Sequence, residues 1–151
     1  MIPDKHLVTV DIIIMRPTYD KKKRYNVHDV LLIKRGNDPF KNYYALPGGF
    51  VDTGEEVQKA ARRELKEETG LDDVNPSFFD IYSKPGRDPR GYTISCVFFE
   101  FLNDYAFDKL KAGDDAKEVS LVSLVEVLKK ETKVAFDHKQ IIEDFWRSII
   151  L

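Results

Sequence analysis

Residues 49–71 read GFVDTGEEVQKAARRELKEETGL, and the fold and the chemistry are both read outward from this stretch. A helix is predicted over residues 54–69. Thr53 is placed to cap its start, and Glu56, three residues on, completes a capping box. Gly70 supplies the left-handed residue that ends it. On a wheel of about 100° per residue, Glu64, Glu67 and Glu68 share one arc with Val57, Ala60 and Ala61. Lys59, Arg62 and Lys66 lie across from them. A salt-bridged surface helix would alternate acids and bases around its exposed side, and this one does not. Like charges three and four residues apart repel, more so when partly desolvated. A divalent cation removes that repulsion, and magnesium favours a few carboxylates together with waters and substrate phosphates.

Ahead of the helix, Pro47-Gly48-Gly49 reads as a tight bend whose missing side chains let backbone approach a ligand or a metal, although a plain turn accounts for the glycines equally well. The fork of Arg63 is suited to bracing a carboxylate, with a surface salt bridge as the plainer alternative. Further out, residues 7–15 (LVTVDIIIM) are apolar and β-branched and read as a buried strand. Arg16–Asp29 reads as a polar loop or hairpin tip carrying Lys21, Lys22, Lys23 and Arg24. Strands are expected at Val30–Lys34, in short pieces over 43–51, at 77–83, at 92–101 and near 118–122. Residues 102–117 read as loop. A short helix is expected at about 123–130, and a last one starts near Asp137 as N-cap, with Gln140 three residues on and an apolar side of Ile141, Ile142, Phe145, Trp146 and Ile149. Several strands with a central and a terminal helix argue for an α/β sandwich with a mixed sheet.

The bulk properties agree. The chain has 151 residues, enough for one domain spanning residues 1–151 with a substantial core. A net charge of −2 gives no overall basic field, so nucleic acid is not an expected partner. No apolar run reaches the length of a membrane span, and the start of the chain lacks the pattern of a secretory leader, so a cytoplasmic location and no membrane association are expected. The lone cysteine, Cys96, excludes an internal disulfide and a cysteine zinc cage, and its setting in Ser-Cys-Val-Phe-Phe suits a packed strand thiol.

In this register, Gly49, Glu55, Arg63, Glu64, Leu65, Glu67, Glu68, Gly70 and Leu71 resemble the Nudix hydrolase box: Gly, five residues, Glu, seven residues, then Arg-Glu-aliphatic-x-Glu-Glu-x-Gly-aliphatic. All nine specified positions match. The resemblance implies an α/β/α sandwich whose loop–helix–loop binds Mg²⁺ or Mn²⁺. Carried over position by position, Glu64, Glu67 and Glu68 would be metal ligands together with the Gly49 carbonyl. Glu55 would be an outer or additional ligand, and Arg63 would orient the carboxylates. A further acid usually comes from outside the box, and Asp114, Asp115 and Glu118 are the candidates, with Glu118 favoured for its place at a strand edge. Metal ions would neutralise a diphosphate, lower the pKa of the attacking water and hold the leaving phosphate. Glu64 and Glu118 both qualify as the carboxylate that takes the proton.

The substrate is read elsewhere. Gly86-Arg87-Asp88-Pro89-Arg90-Gly91, with Tyr92-Thr93-Ile94-Ser95 after it, looks like the corresponding loop of the ADP-ribose pyrophosphatase branch. Ala112-Gly113-Asp114-Asp115-Ala116 and Ala135-Phe136-Asp137-His138 resemble the same branch. Arg87, Asp88 and Arg90 are therefore the expected substrate-binding residues, the arginines offering bidentate donors for phosphates. Tyr19, Phe40, Tyr43 and Tyr44 are candidates for base stacking, and His138 reads as structural. The implied reaction is hydrolysis of ADP-ribose to AMP and ribose 5-phosphate. Another nucleoside diphosphate derivative or a damaged nucleotide (a nucleotide sugar, NADH, 8-oxo-dGTP) is the first alternative. An ADP-ribose-sensing regulatory domain is the second. Relatives in that branch are often dimers, which makes a homodimer an expectation by analogy.

Overall fold

In the computed structural model, residues 5–22, 24–111, 113 and 116–150 are described. The apolar run does form the central strand, β1 (Leu7–Asp20), and it extends five residues past the expected end at Met15. It turns back into β2 (Tyr25–Arg35), so most of the expected Arg16–Asp29 loop is a two-stranded ribbon paired from Met15↔Val30 to Asp20↔Tyr25. Arg16 and Asp29 face each other there at 2.6 Å, an opposite-charge cross-strand pair that favours pairing over loop. Lys21, Lys22 and Arg24 sit exposed at the tip, while Lys23 lies outside the described residues.

Short strands β3 (Tyr44–Ala45) and β4 (Gly48–Phe50) precede helix α1 (Val57–Thr69). Then come β5 (Ser77–Tyr82), β6 (Thr93–Phe101), a 3₁₀ turn over Asp104–Lys109, β7 (Ala116–Ser123), α2 (Leu124–Val127) and α3 (His138–Ile150). The 3₁₀ turn interrupts what reads as loop, because Phe107 buries its ring in the core on the α1 side. The expected helix at 123–130 contracts to four residues, capped by Ser123 accepting from the Glu126 amide. Among the described residues the sheet has seven strands, ordered β3-β2-β1-β6-β5, with β4 paired to β1 and β7 to β2. β1 runs parallel to β6 and antiparallel to β2 and β4, so the sheet is mixed.

Alternation along β1 builds two cores. Val10, Ile12 and Ile14 pack with Ala60, Ala61 and Leu65 of α1, whereas Ile13 and Met15 pack with Ile141, Ile142 and Phe145 of α3. The sheet is thus sandwiched between α1 and α3. The partly buried Cys96 packs on the α1 side, and burial pushes its thiol pKa up. Among the described residues no helix is long and apolar enough to cross a membrane.

Two expectations about helix ends need correction. α1 begins at Val57, with Glu56 in the capping position and no side-chain cap, so neither Thr53 nor a capping box starts it. Gly54, at φ 80°, takes a left-handed turn that postpones the helix. Asp137 does stand directly ahead of α3, its carbonyl accepting from the Ile141 amide, but its carboxylate receives the guanidinium of Arg87 instead of capping the helix, and the Gln140 side chain donates to Asp144. Gly70 does end α1, at φ 78°.

Candidate active site

Pro47-Gly48-Gly49 is not a bend: Gly48 and Gly49 lie in β4, paired with Asp11 and Val10 of β1. Their lack of a side chain is needed for close approach. A Cβ on Gly48 would lie 2.1 Å from the Val10 carbonyl oxygen, and one on Gly49 would lie 2.5 Å from Glu64 Oε1. β4 therefore sits directly on the carboxylates of α1. The Gly48 amide donates to Glu68 Oε2 at 3.1 Å.

Arg63 organises the rest. Its Nε and Nη2 donate to the two oxygens of Glu55 at 2.8 and 2.9 Å, and Nη2 also reaches the Phe50 carbonyl at 3.1 Å. Nη1 is shared between Glu64 at 2.9 Å and Glu67 at 3.1 Å. One guanidinium thus fixes the carboxylates of Glu55, Glu64 and Glu67. The acids that share one arc of the helix differ in depth. Glu68 is 8% exposed, the Glu64 side chain 13%, and the Glu67 side chain lies on the rim at 43%. Burial pushes the Glu68 pKa up to about 8; the nearby charges of Glu64 and Asp11 add to this, and the Gly48 amide opposes it. Burial likewise raises Glu64, with Glu67 and Asp52 adding to the effect against the pull of Arg63.

Among the described residues, no group of three or more acidic, histidine or cysteine side chains is already closed around a point as a metal shell. The donors nevertheless suit a hard divalent cation: they are carboxylate oxygens, half-buried and mutually repelling, beneath a glycine backbone.

Glu64, Glu68 and Asp52 line a cavity of about 400 Å³, whose other walls include Asp11, Arg35, Arg87, Asp88, Arg90, Phe136 and His138. Asp11 is buried on β1. Burial opposes its charge, but His138, Ser95 and Arg87 hold its pKa below the usual carboxylate range. The Leu46 amide donates to His138 Nδ1 at 3.0 Å, leaving Nε2 as the N–H that faces Asp11 Oδ1 at 3.3 Å. His138 is in this sense a fixed strut between α3 and β1.

The two arginines of the 86–91 loop take different parts. Arg87 is 4% exposed; it is bidentate to Asp137 at 2.9 and 2.7 Å and donates to Thr93 at 3.0 Å. It lines the cavity with its Nε, Nη1 and Nη2 each donating to protein groups in this structure. Arg90 is 35% exposed, pairs with the buried Asp88 at 2.8 Å, and lies over the rings of Phe50 and Phe136 at 4.8 and 5.2 Å. That pairing holds Asp88 below the usual carboxylate range against the effect of burial.

Glu118 does not line the cavity. It is paired in register with Lys34, 4.0 Å away, on the strand face opposite that of its neighbour Val119, which packs into the core on the α1 side. Asp114, Asp115 and Ala112 lie outside the described residues. Nor do Tyr19, Phe40, Tyr43 and Tyr44 line the cavity; the rings that do are Phe50 and Phe136. Asp11, Asp52, Arg35 and Phe50 were not anticipated, and Phe136 was marked only as part of the segment Ala135-Phe136-Asp137-His138. Asp11 carried a signal of its own, as a charge inside a strand that reads as buried.

The NUDIX domain profile matches residues 5–145. A Methanocaldococcus jannaschii protein named ADP-ribose pyrophosphatase is 52% identical over 118 residues, which is 78% of this chain and 66% of the relative, just under two thirds of its length. The crystal structure of a MutT/nudix family protein from Enterococcus faecalis superposes with a TM-score of 0.82 at 32% identity, covering 99% of this chain and 64% of that one. The NUDIX domain of Shewanella oneidensis NrtR, solved in complex with ADP ribose, gives a TM-score of 0.82 at 26% identity, covering 97% and 90%.

Proposed function

The chain belongs to the Nudix family, and on that premise we propose that it hydrolyses the diphosphate of a nucleoside diphosphate derivative, with ADP-ribose as the substrate and AMP and ribose 5-phosphate as products. The observation that carries this reading is the lining of the cavity, which brings the carboxylates of Asp52, Glu64 and Glu68 and the guanidiniums of Arg35 and Arg90 to one space. The names of the Methanocaldococcus relative and of the Shewanella complex support ADP-ribose over other diphosphates.

Glu64 and Glu68, with the backbone of Gly49, would hold the divalent cation that the family generally uses, here Mg²⁺ or Mn²⁺. Glu67 would join them from the rim. When bound, that cation neutralises the diphosphate oxygens and makes a water more acidic. Arg63 keeps Glu55, Glu64 and Glu67 in place as charge builds and disperses. Water attacks one phosphorus, the P–O–P bridge breaks, and the water's proton passes to a carboxylate. Glu64 suits that role, because it lines the cavity and burial raises its proton affinity. Glu118, outside the cavity, does not. The chain acts as one catalytic domain, in the cytoplasm, on a small molecule rather than nucleic acid.

The test is turnover with Mg²⁺ of ADP-ribose, NADH, a nucleotide sugar and 8-oxo-dGTP, with release of AMP and ribose 5-phosphate followed directly. ADP-ribose should be preferred. Tight ADP-ribose binding without turnover of any of the four would replace the enzyme with a sensing domain.

A further inference from the structure

One ring in the cavity lining gathers two of its guanidiniums. Phe136 sits in the segment ahead of α3 with φ 53°, a left-handed conformation that a bulky side chain adopts only where its surroundings demand it. The surroundings here are specific. Ala135 before it is fully buried and its amide donates to the Tyr44 carbonyl at 2.7 Å, while Phe40 packs edge-on against the ring at a centroid distance of 4.9 Å. Two guanidiniums lie over this ring, Arg35 at 5.0 Å and Arg90 at 5.2 Å, and Arg90 also lies over Phe50 at 4.8 Å. All four residues line the cavity. A guanidinium stacked on an aromatic face keeps its in-plane N–H groups available for oxygen acceptors. Arg90 has Nε and Nη2 on Asp88, and its Nη1 makes no hydrogen bond among the described residues.

We propose that Phe136 is a positioning residue for substrate selection: its ring holds the Arg90 guanidinium so that the Nη1 edge meets the anionic oxygens of a diphosphate bound in the cavity. The ring itself does not stack on the base. This rests on the reading of the site as a diphosphate hydrolase but does not depend on ADP-ribose being the substrate. The leftward backbone fixes where the ring can be, and the ring fixes where the charge can be.

The test is titration calorimetry with ADP and with adenosine in Ca²⁺, on wild type and variants whose folding is checked by circular dichroism. Phe136→Asn keeps a residue tolerant of the left-handed conformation and removes the ring. It should weaken ADP binding by about tenfold, the scale of one partly desolvated cation–π contact, and leave adenosine binding within about twofold. Phe136→Tyr should restore wild-type ADP binding. Arg90→Met should weaken ADP binding similarly, and the double variant should lose less than the product of the two single losses. Equal weakening of ADP and adenosine would make the ring a base platform and overturn the proposal, as would unchanged ADP binding in Phe136→Asn or fully independent losses. Absence of ADP-ribose turnover by the wild-type protein would refute the substrate assignment alone, and these binding differences would still stand or fall separately.

Discussion

At the scale of single residues, the acids of α1 differ more in burial than their shared arc suggests. Glu68 is the deepest, and with no cation its pKa is raised from an ordinary 4.5 to about 8. Its folded-state pKa is above its unfolded one, so the stabilisation it gives is complete below about pH 4.5 and is lost as pH rises through about 8. In EDTA, the thermal midpoint of the wild type should therefore fall between pH 5 and pH 8 relative to that of Glu68→Gln, and adding Mg²⁺ at pH 8 should reverse the fall only in the wild type. Parallel pH profiles for the two proteins would remove Glu68 from the metal assignment. The participants on α1 were legible in the sequence because a nine-position pattern fixes their register. Phe50 was not, and Phe136 was marked only by its place in the 135–138 segment, since one aromatic residue looks like another until the chain folds β4 and the segment before α3 into one cavity lining. Arg87 and Arg90 read alike for a similar reason. Only the placement of Asp137 and Asp88 tells a strut from an exposed donor.

At the scale of elements, α1 is defined by its ends, and the two ends behave differently. Gly70 holds φ 78°, and a Cβ there would lie 2.8 Å from the Lys109 carbonyl oxygen. Gly70→Ala should cost roughly 1–3 kcal/mol, combining left-handed strain with overpacking. Thr53 makes no capping bond to α1, so Thr53→Ala should change stability by less than about 0.5 kcal/mol. Urea unfolding of both variants checks the pair, and a loss of about 1 kcal/mol in Thr53→Ala would reinstate the capping box. The helix and its C-terminus were visible in the sequence. Its start was misplaced because Thr53 and Glu56 have the right spacing for a cap, while Gly54 takes the chain through a left-handed turn first. The strand elements followed from apolar runs, but the ribbon of β1 and β2 did not: polar residues give no periodic signal, and a charge pair across strands is invisible along one.

For the whole molecule, the buried polar network beneath the cavity joins parts that are distant in sequence. Arg87 ties the 86–91 loop to Asp137 ahead of α3 and to Thr93 on β6, and lies 3.9 Å from Asp11 on β1. Removing its charge would leave Asp137 without its partner and Asp11 less compensated. Arg87→Met should lower global stability by about 3–5 kcal/mol, the cost of breaking a buried pair, whereas Arg90→Met should lower it by far less because Arg90 reaches solvent. Chemical denaturation compares them, and equal losses would show that the two arginines share one role. The sandwich itself was foreseeable from the run of strands and helices; this network was not, because its members are ordinary polar residues scattered over more than a hundred positions.

The two kinds of charge in the cavity come from different stretches of the chain. Residues 48–69 carry Asp52, Glu64 and Glu68, the arginine that orients Glu64, and Phe50, over which Arg90 also lies. The 86–91 loop and the segment ahead of α3 carry Arg90 and Phe136, and β1 lies between the two as a floor paired on both sides. On the proposed reading, substitutions at Arg90 or Phe136 would alter which molecule is held and leave the carboxylates of α1 and their arginine where they are.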